Sequence, residues 1–232
     1  MVFKSGRLLT VILLSVLVGC SSNTGTQFDY LVTVSASTNG EVLDATDAIY
    51  LIETLGYKAV RDSIVQKVDS ATRIAVAVYE IQPDGSEQLR DSTVQTAADG
   101  AGLSWLNQLL PEQLTFAALR NQEMFRYVAI PEPAMEWARI RAEVLPESDM
   151  PGGLRSVTLS YQPDQPRLTG VSVVRDGGGL FFTERSSLEV EFRNGSFSGL
   201  DNVVVLTLPF KDPVAYRTVA SIVSDGSQNA SQ

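Results

Sequence analysis

The chain has 232 residues, of which 44% are hydrophobic, and its 27 acidic and 18 basic side chains give a formal net charge of −9. A chain this acidic lacks the positive field that binds nucleic acid, and its apolar content can fill the core of one domain or two small ones. It contains no histidine and a single cysteine, Cys20, which excludes Cys/His zinc sites, an intramolecular disulfide and Ser–His or Cys–His nucleophilic catalysis.

The first 19 residues have the composition of a secretory signal peptide. Lys4 and Arg7 precede an apolar run that is too short to cross a bilayer as a stable helix. The run ends in Leu17-Val18-Gly19-Cys20, which resembles the lipobox of bacterial lipoproteins. The resemblance implies cleavage between Gly19 and Cys20, a diacylglycerol on the Cys20 thiol, and acylation of the new amine with a fatty acid such as palmitate.

Residues 20–27 are polar and contain glycine, which predicts a flexible tether with an r.m.s. reach of about 15 Å. Removing residues 1–19 takes away two of the 18 basic side chains and none of the 27 acidic ones, so the mature net charge is −11. The lipid on Cys20, and not a basic patch, would hold such a domain at the membrane. Lipoproteins of Gram-negative bacteria with Asp after the acylated cysteine tend to stay in the inner membrane. Ser21 and Ser22 therefore imply the outer membrane, facing the periplasm; the alternative is the outer face of a single membrane.

Residues 28–130 are predicted to form an α+β domain, beginning with a strand over residues 28–35 in which apolar side chains alternate. Asp44 is placed to cap a helix, because apolar residues follow it at helical spacing. A second helix is predicted over residues 60–68.

The remainder of this range contains a hairpin and two more helices. Residues 73–81 alternate cleanly, Pro83-Asp84-Gly85 has the composition of a tight turn, and residues 89–96 return as a polar strand at the sheet edge. Two helices, the first around Trp105, and a strand over residues 124–130 are predicted next. The order strand–helix–hairpin–helix–strand predicts a ferredoxin-like layer.

Pro131 and Pro133 predict a boundary, because neither a helix nor a central strand tolerates them well. Residues 134–223 then alternate in short stretches separated by turns. This pattern predicts a mainly antiparallel β domain, either a sheet or a small β-sandwich, that closes with a helix starting at Asp212-Pro213. Residues 224–232 are predicted to be a disordered tail.

Three features within the β region concern turns and chemistry. Residues 177–179 are glycines that lack the Lys and Ser/Thr of a phosphate loop, and they are predicted to form a turn. Asn194-Gly195 is a strong hairpin signal. Glu189 and Glu191 are the close carboxylate pair that a carboxylate-based hydrolase would need, but a solvated strand face beside Arg193 is the favoured interpretation.

Trp105 and Trp137 are candidates for lining a ligand groove, although tryptophans at apolar positions are more often core residues. The sequence contains no recognisable catalytic motif, so no side chain is assigned to catalysis, to a cofactor or to a metal. We therefore predict a membrane-anchored, non-enzymatic binding or assembly factor of the cell envelope, with another envelope protein as its partner. The alternatives are a ligand-binding module for a lipid, glycan or peptide, and a carboxylate-based hydrolase.

Overall fold

A computed structural model of the chain describes residues 28, 30–32, 40–55, 73–96, 119–130, 138–148, 150–164, 167–179, 181–194 and 196–223. The predicted signal peptide, lipobox and tether (residues 1–27), both tryptophans and the predicted tail (residues 224–232) lie outside these residues.

Ten β-strands and one α-helix are found in the described part of the chain. In order they are β1 (Glu41–Val42), α1 (Ala45–Thr54), β2 (Arg73–Ile81), β3 (Glu87–Thr96), β4 (Phe125–Ile130), β5 (Ala138–Val144), β6 (Leu154–Gln162), β7 (Arg167–Gly179), β8 (Phe182–Arg193), β9 (Ser196–Thr207) and β10 (Val214–Val223). A 3-10 turn, Pro151–Gly153, precedes β6. The strands form one antiparallel sheet in the order β1-β4-β5-β6-β7-β8-β9-β10-β2-β3.

The predicted α+β fold with a ferredoxin-like layer is wrong. Nearly all of the described chain is antiparallel sheet, and α1 is its one short α-helix. The predicted closing helix after Pro213 is β10, which pairs along its length with β9 on one side and β2 on the other. The β-branched and aromatic residues of β10 pack well on a sheet. The hydrogen bonds to a strand on each side outweigh the weak helix preference that the spacing of its apolar residues suggests.

Strands from both sides of the predicted domain boundary belong to this sheet. β4, from residues 28–130, pairs with β5, from residues 134–223, and β10 pairs with β2. The boundary itself lies in residues 131–137, outside the described residues, and the division of the chain into two domains stays a prediction.

Two local predictions in the first half of the chain are confirmed. Oδ1 of Asp44 accepts a hydrogen bond of 2.8 Å from the N–H of Thr46 and caps α1, which also lowers the pKa of the Asp44 carboxyl. The β2–β3 hairpin closes through a tight turn in which Gly85 has φ 84°, a value that favours glycine. β3 lies at the end of the strand order, as expected for a polar edge strand.

One face of the sheet packs against α1, and we call it the helix face. Ala48 and Ile52 of α1 are buried there in one core cluster that also holds side chains from β2 and from β4 through β10. The largest fully buried members on the strands are Tyr127, Ile140, Leu159, Val157, Val173 and Val190. Burial of apolar surface on this face supplies the main stabilisation of the fold.

The opposite face, which we call the N-terminal face, carries a second apolar cluster. Its buried members are Phe28, Val32, Ile81, Val205 and Ala215. Successive side chains of a strand point to opposite faces of the sheet. Val205 and Leu200 of β9 are an odd number of residues apart, so Val205 lies on the face opposite to Leu200, which is buried on the helix face. The beginning of the described chain therefore covers part of the sheet that α1 does not.

Three hairpin connections, β2–β3, β7–β8 and β9–β10, lie at the same end of the sheet, which we call the hairpin end. The register of β8 with β9 and of β10 with β2 fixes this arrangement. The β8–β9 turn at Asn194 lies at the far end, and its φ of 51° confirms the predicted hairpin. In the described part of the chain, no helix has both the length and the apolarity to cross a bilayer.

Candidate functional site

A pocket of about 510 Å³ opens on the helix face at the hairpin end. Its walls come from the 3-10 turn and the start of β6, from the end of β7, and from the start of β8. Met150, Leu154 and Phe182 supply apolar surface, and the charged side chains of the lining are Arg155, Arg175, Asp176 and Glu184. The volume lies in the range of small-molecule sites, about 300–1,000 Å³.

Arg175 occupies an inward position of β7. Val171 and Val173 are buried on the helix face, and the alternation of the strand puts Arg175 next in the same row, opposite Leu154 of β6. Nη2 of Arg175 is buried and has no hydrogen-bond partner among the described residues. Native proteins pair nearly all buried polar atoms, so an unpaired guanidinium nitrogen at a pocket wall marks a candidate binding group.

Arg175 is affected by its burial and by its neighbour Glu184, and Arg155 and Asp176 add one charge of each sign to the pocket lining. Burial lowers the pKa of Arg175 below its ordinary value, and the negative charge of Glu184 partly opposes this. Arginine remains charged at neutral pH, so the pocket presents a desolvated cation. Such a group gains most from an anion that can accept its N–H donors.

Glycines bring the backbones of the pocket close together. Gly153, in the 3-10 turn, has φ 67°, and a Cβ there would lie 2.5 Å from Cα of Gly177. At Gly178 a Cβ would lie 2.3 Å from the carbonyl oxygen of Phe182. The predicted turn over residues 177–179 is wrong: these glycines continue β7, and they serve the close approach of the 3-10 turn and of β8.

Arg217, on the N-terminal face, shows the opposite arrangement. Its Nε lies 3.0 and 2.9 Å from the two carboxylate oxygens of Asp201, and its Nη1 lies 2.9 Å from Oε1 of Glu87. These hydrogen bonds, those to Asp201 above all, raise the pKa of Arg217. Arg217 is thus held by carboxylates of Asp201 and Glu87, whereas Nη2 of Arg175 has no hydrogen-bond partner among the described residues, although Asp176 and Glu184 line the same pocket.

The structure does not bring the sequence-predicted site residues together with this pocket. Glu189 and Glu191 are exposed, and alternation along β8 puts them on the N-terminal face, away from Arg175. Cys20, Trp105 and Trp137 lie outside the described residues. Within the described ranges, no group of three or more His, Cys, Asp or Glu side chains is arranged to hold a metal ion.

Sequence reasoning missed Arg175. The available signal was its position two residues after Val173, where the inward row of β7 would otherwise continue with an apolar residue.

Comparison with known proteins assigns no family to the chain. No protein-family model matches it, and no curated protein matches it. Among solved structures, a LolA superfamily protein from Nitrosomonas europaea is 14% identical, the alignment covers 74% of this chain and 90% of that one, and the TM-score is 0.28. A similarity of this size is too low to assign the chain to a fold family.

Proposed function

We propose that this chain is a lipid-anchored, non-enzymatic binding protein of the bacterial cell envelope, and that the Arg175 pocket holds the anionic group of its ligand. The observation that carries the proposal is the buried Nη2 of Arg175 without a hydrogen-bond partner in the described chain, at the wall of a pocket large enough for a small molecule. A buried donor left unpaired costs about 1–3 kcal/mol, and a bound acceptor offsets that cost.

The pocket favours a ligand that combines an anion with an apolar portion. A carboxylate or a phosphate matches the planar donors of a guanidinium. The neighbouring walls at Met150, Leu154 and Phe182 are apolar and would contact the remainder of the molecule. The negative charge of Glu184 repels any anion that approaches Arg175. A bare inorganic anion makes no apolar contact that would offset this repulsion, so it should bind more weakly than an anion with an apolar chain.

Binding is tested with hexyl phosphate, and with 1-hexanol as a probe of the same chain length without the charge. For the mature chain with Cys20→Ser, hexyl phosphate at constant ionic strength is expected to raise Tm in a saturable way. The stabilisation is about 2.7 kcal/mol when the probe reaches 100 times its Kd. The rise should be lost in Arg175→Met and kept in Arg193→Met, an exposed arginine at the far end of β8. An equal rise in Arg175→Met, or an equal effect of 1-hexanol, contradicts the anion site.

Without ligand, Arg175→Met is expected to stabilise the protein. The substitution removes a desolvated charge whose Nη2 lacks an acceptor in the described chain, and it leaves an apolar side chain beside Leu154. We expect a gain of about 1 kcal/mol in the free energy of unfolding, measured by urea denaturation. A loss of stability would mean that the arginine has a structural role, and that the proposed binding role is wrong.

Lipid anchoring is tested at Cys20. Cys20→Ala is expected to leave an unprocessed precursor that incorporates no labelled fatty acid, because the thiol is the attachment atom implied by the lipobox. The matched Ser22→Ala variant, two residues on, should be processed and labelled normally. Normal processing of Cys20→Ala contradicts the lipoprotein proposal.

Membrane location is tested by separating the inner and outer membranes on a density gradient. We expect the lipidated protein in the outer-membrane fraction, and recovery with the inner membrane contradicts that location.

A further inference from the structure

Four large apolar side chains are exposed together at the hairpin end. Phe181 is 74%, Phe182 43%, Leu208 40% and Phe210 99% exposed. They are neighbours in space, because Thr183 of β8 pairs with Thr207 of β9, and the four residues lie just beyond this pair. Adjacent strands are about 4.8 Å apart. A cluster of exposed aromatic side chains on a folded domain usually marks a contact surface.

The backbone holds Phe210 outward. The N–H of Lys211 bonds to the carbonyl of Leu208 at 3.3 Å, which makes Phe210 the third residue of a four-residue turn. Its φ is 63°, in the left-handed region where glycine is the usual residue at this turn position. A bulky side chain kept in this conformation, almost fully in solvent, points to a role outside the domain.

The same end of the sheet receives the beginning of the described chain. Phe28 is buried against Ile81, Val205 and Ala215, which lie within a few residues of the hairpin connections. Eight peptide units separate Cys20 from Phe28, so even a fully extended chain spans at most about 29 Å. Arg193, at the far end of β8, is about 36 Å from Phe182 along the strand. A lipid on Cys20 therefore lies closest to the hairpin end.

We propose that the hairpin end contacts the lipid bilayer directly, with Phe181, Phe182, Leu208 and Phe210 in the interfacial region and the sheet standing away from the membrane. The inference rests on the lipid at Cys20 in the proposed function. Aromatic side chains are favoured at the membrane–water interface, and the ammonium group of Lys211 can reach the headgroups while its stem lies along them. The net charge of −11 after loss of residues 1–19 opposes strongly anionic membranes, so the surface that fits is a zwitterionic bilayer.

The experiment uses the full lipidated protein in phosphatidylcholine vesicles. Cys20 is the chain's one cysteine and its thiol is acylated, so a new cysteine can be labelled alone with an environment-sensitive fluorophore. The label is placed at Lys211→Cys, beside Phe210, or at the exposed Arg193→Cys as the matched control. Quenching by nitroxide-bearing phosphatidylcholine reports contact with lipid, and quenching by iodide reports contact with water.

We expect the label at residue 211 to be quenched by the nitroxide lipid and shielded from iodide, and the label at residue 193 to show the reverse. Adding Phe181→Ser and Phe210→Ser to Lys211→Cys should abolish the lipid quenching; both side chains are exposed, so the fold is preserved. Equal iodide access at the two labels, or lipid quenching at both, overturns the inference while the anchor stands. Mass spectrometry and vesicle flotation test the anchor separately. If Cys20 carries no acyl group and the protein does not float with vesicles, both the lipid anchor and this inference are wrong.

Discussion

Replacing Gly153 with alanine is expected to lower the free energy of unfolding by about 3 kcal/mol. Gly153 has φ 67°, a conformation that a residue with a Cβ adopts only at a cost. The new Cβ would also lie 2.5 Å from Cα and 2.6 Å from N of Gly177, and these are backbone atoms that no side-chain rotation can move away. The 3-10 turn would have to separate from β7, which also opens the Arg175 pocket.

Gly170→Ala is the matched control for this prediction. Gly170 lies in the same strand as Gly177, and a Cβ there would meet its nearest atom, the carbonyl oxygen of Val190, at 3.3 Å. A shift of a few tenths of an ångström accommodates it, so we expect a change within about 1 kcal/mol. Urea denaturation of both variants gives the comparison. Equal effects would mean that the contact between Gly153 and Gly177 does not hold the pocket together.

Alternation in the sequence predicts the part of β8 around Glu189 and Glu191, because the two faces of that strand differ in chemistry. Leu188 and Val190 are buried, whereas Glu189 and Glu191 are exposed, so a period of two is visible without any knowledge of the neighbouring strands. The tight turn after β8 has an equally local cause, because Asn194 accepts positive φ there.

The same reasoning fails at β10 because both of its faces bury small apolar residues. Ala215 belongs to the cluster on the N-terminal face and Ala220 to the core on the helix face, so the pattern has no contrast between faces. Asp212-Pro213 is also a genuine local signal for the start of a helix. Pairing with β9 and β2 overrides it, and the β2 partner comes from a distant part of the chain, which no local pattern encodes.

The Arg175 pocket could not be predicted from the sequence for a related reason. A charge after Val173 resembles the end of a strand, and three glycines after Asp176 resemble a turn. Only the pairing of Gly177 and Gly178 with β8 shows that β7 continues, which makes Arg175 an inward residue instead of a solvated one.

Phe28→Ala is expected to destabilise the protein by about 3 kcal/mol. Phe28 is 2% exposed and packs with Ile81, Val205 and Ala215 on a face of the sheet that α1 does not cover. Removing the ring leaves a cavity and loses its buried apolar surface. Urea denaturation gives the free energy, and amide hydrogen exchange of Val205 and Ala215 should accelerate as the N-terminal segment detaches.

Tyr30→Ala is the control, because Tyr30 lies two residues from Phe28 in the same segment but is 60% exposed. Its loss should change stability by no more than about 0.5 kcal/mol. Equal effects of the two substitutions would mean that the segment is not docked through Phe28. If Cys20 carries the proposed lipid, Phe28 joins that anchor to the sheet near the hairpin end, and its loss should also remove lipid quenching at residue 211 in the lipidated protein. Retention of that quenching in Phe28→Ala would show that the exposed aromatic side chains find the bilayer without guidance from the anchor.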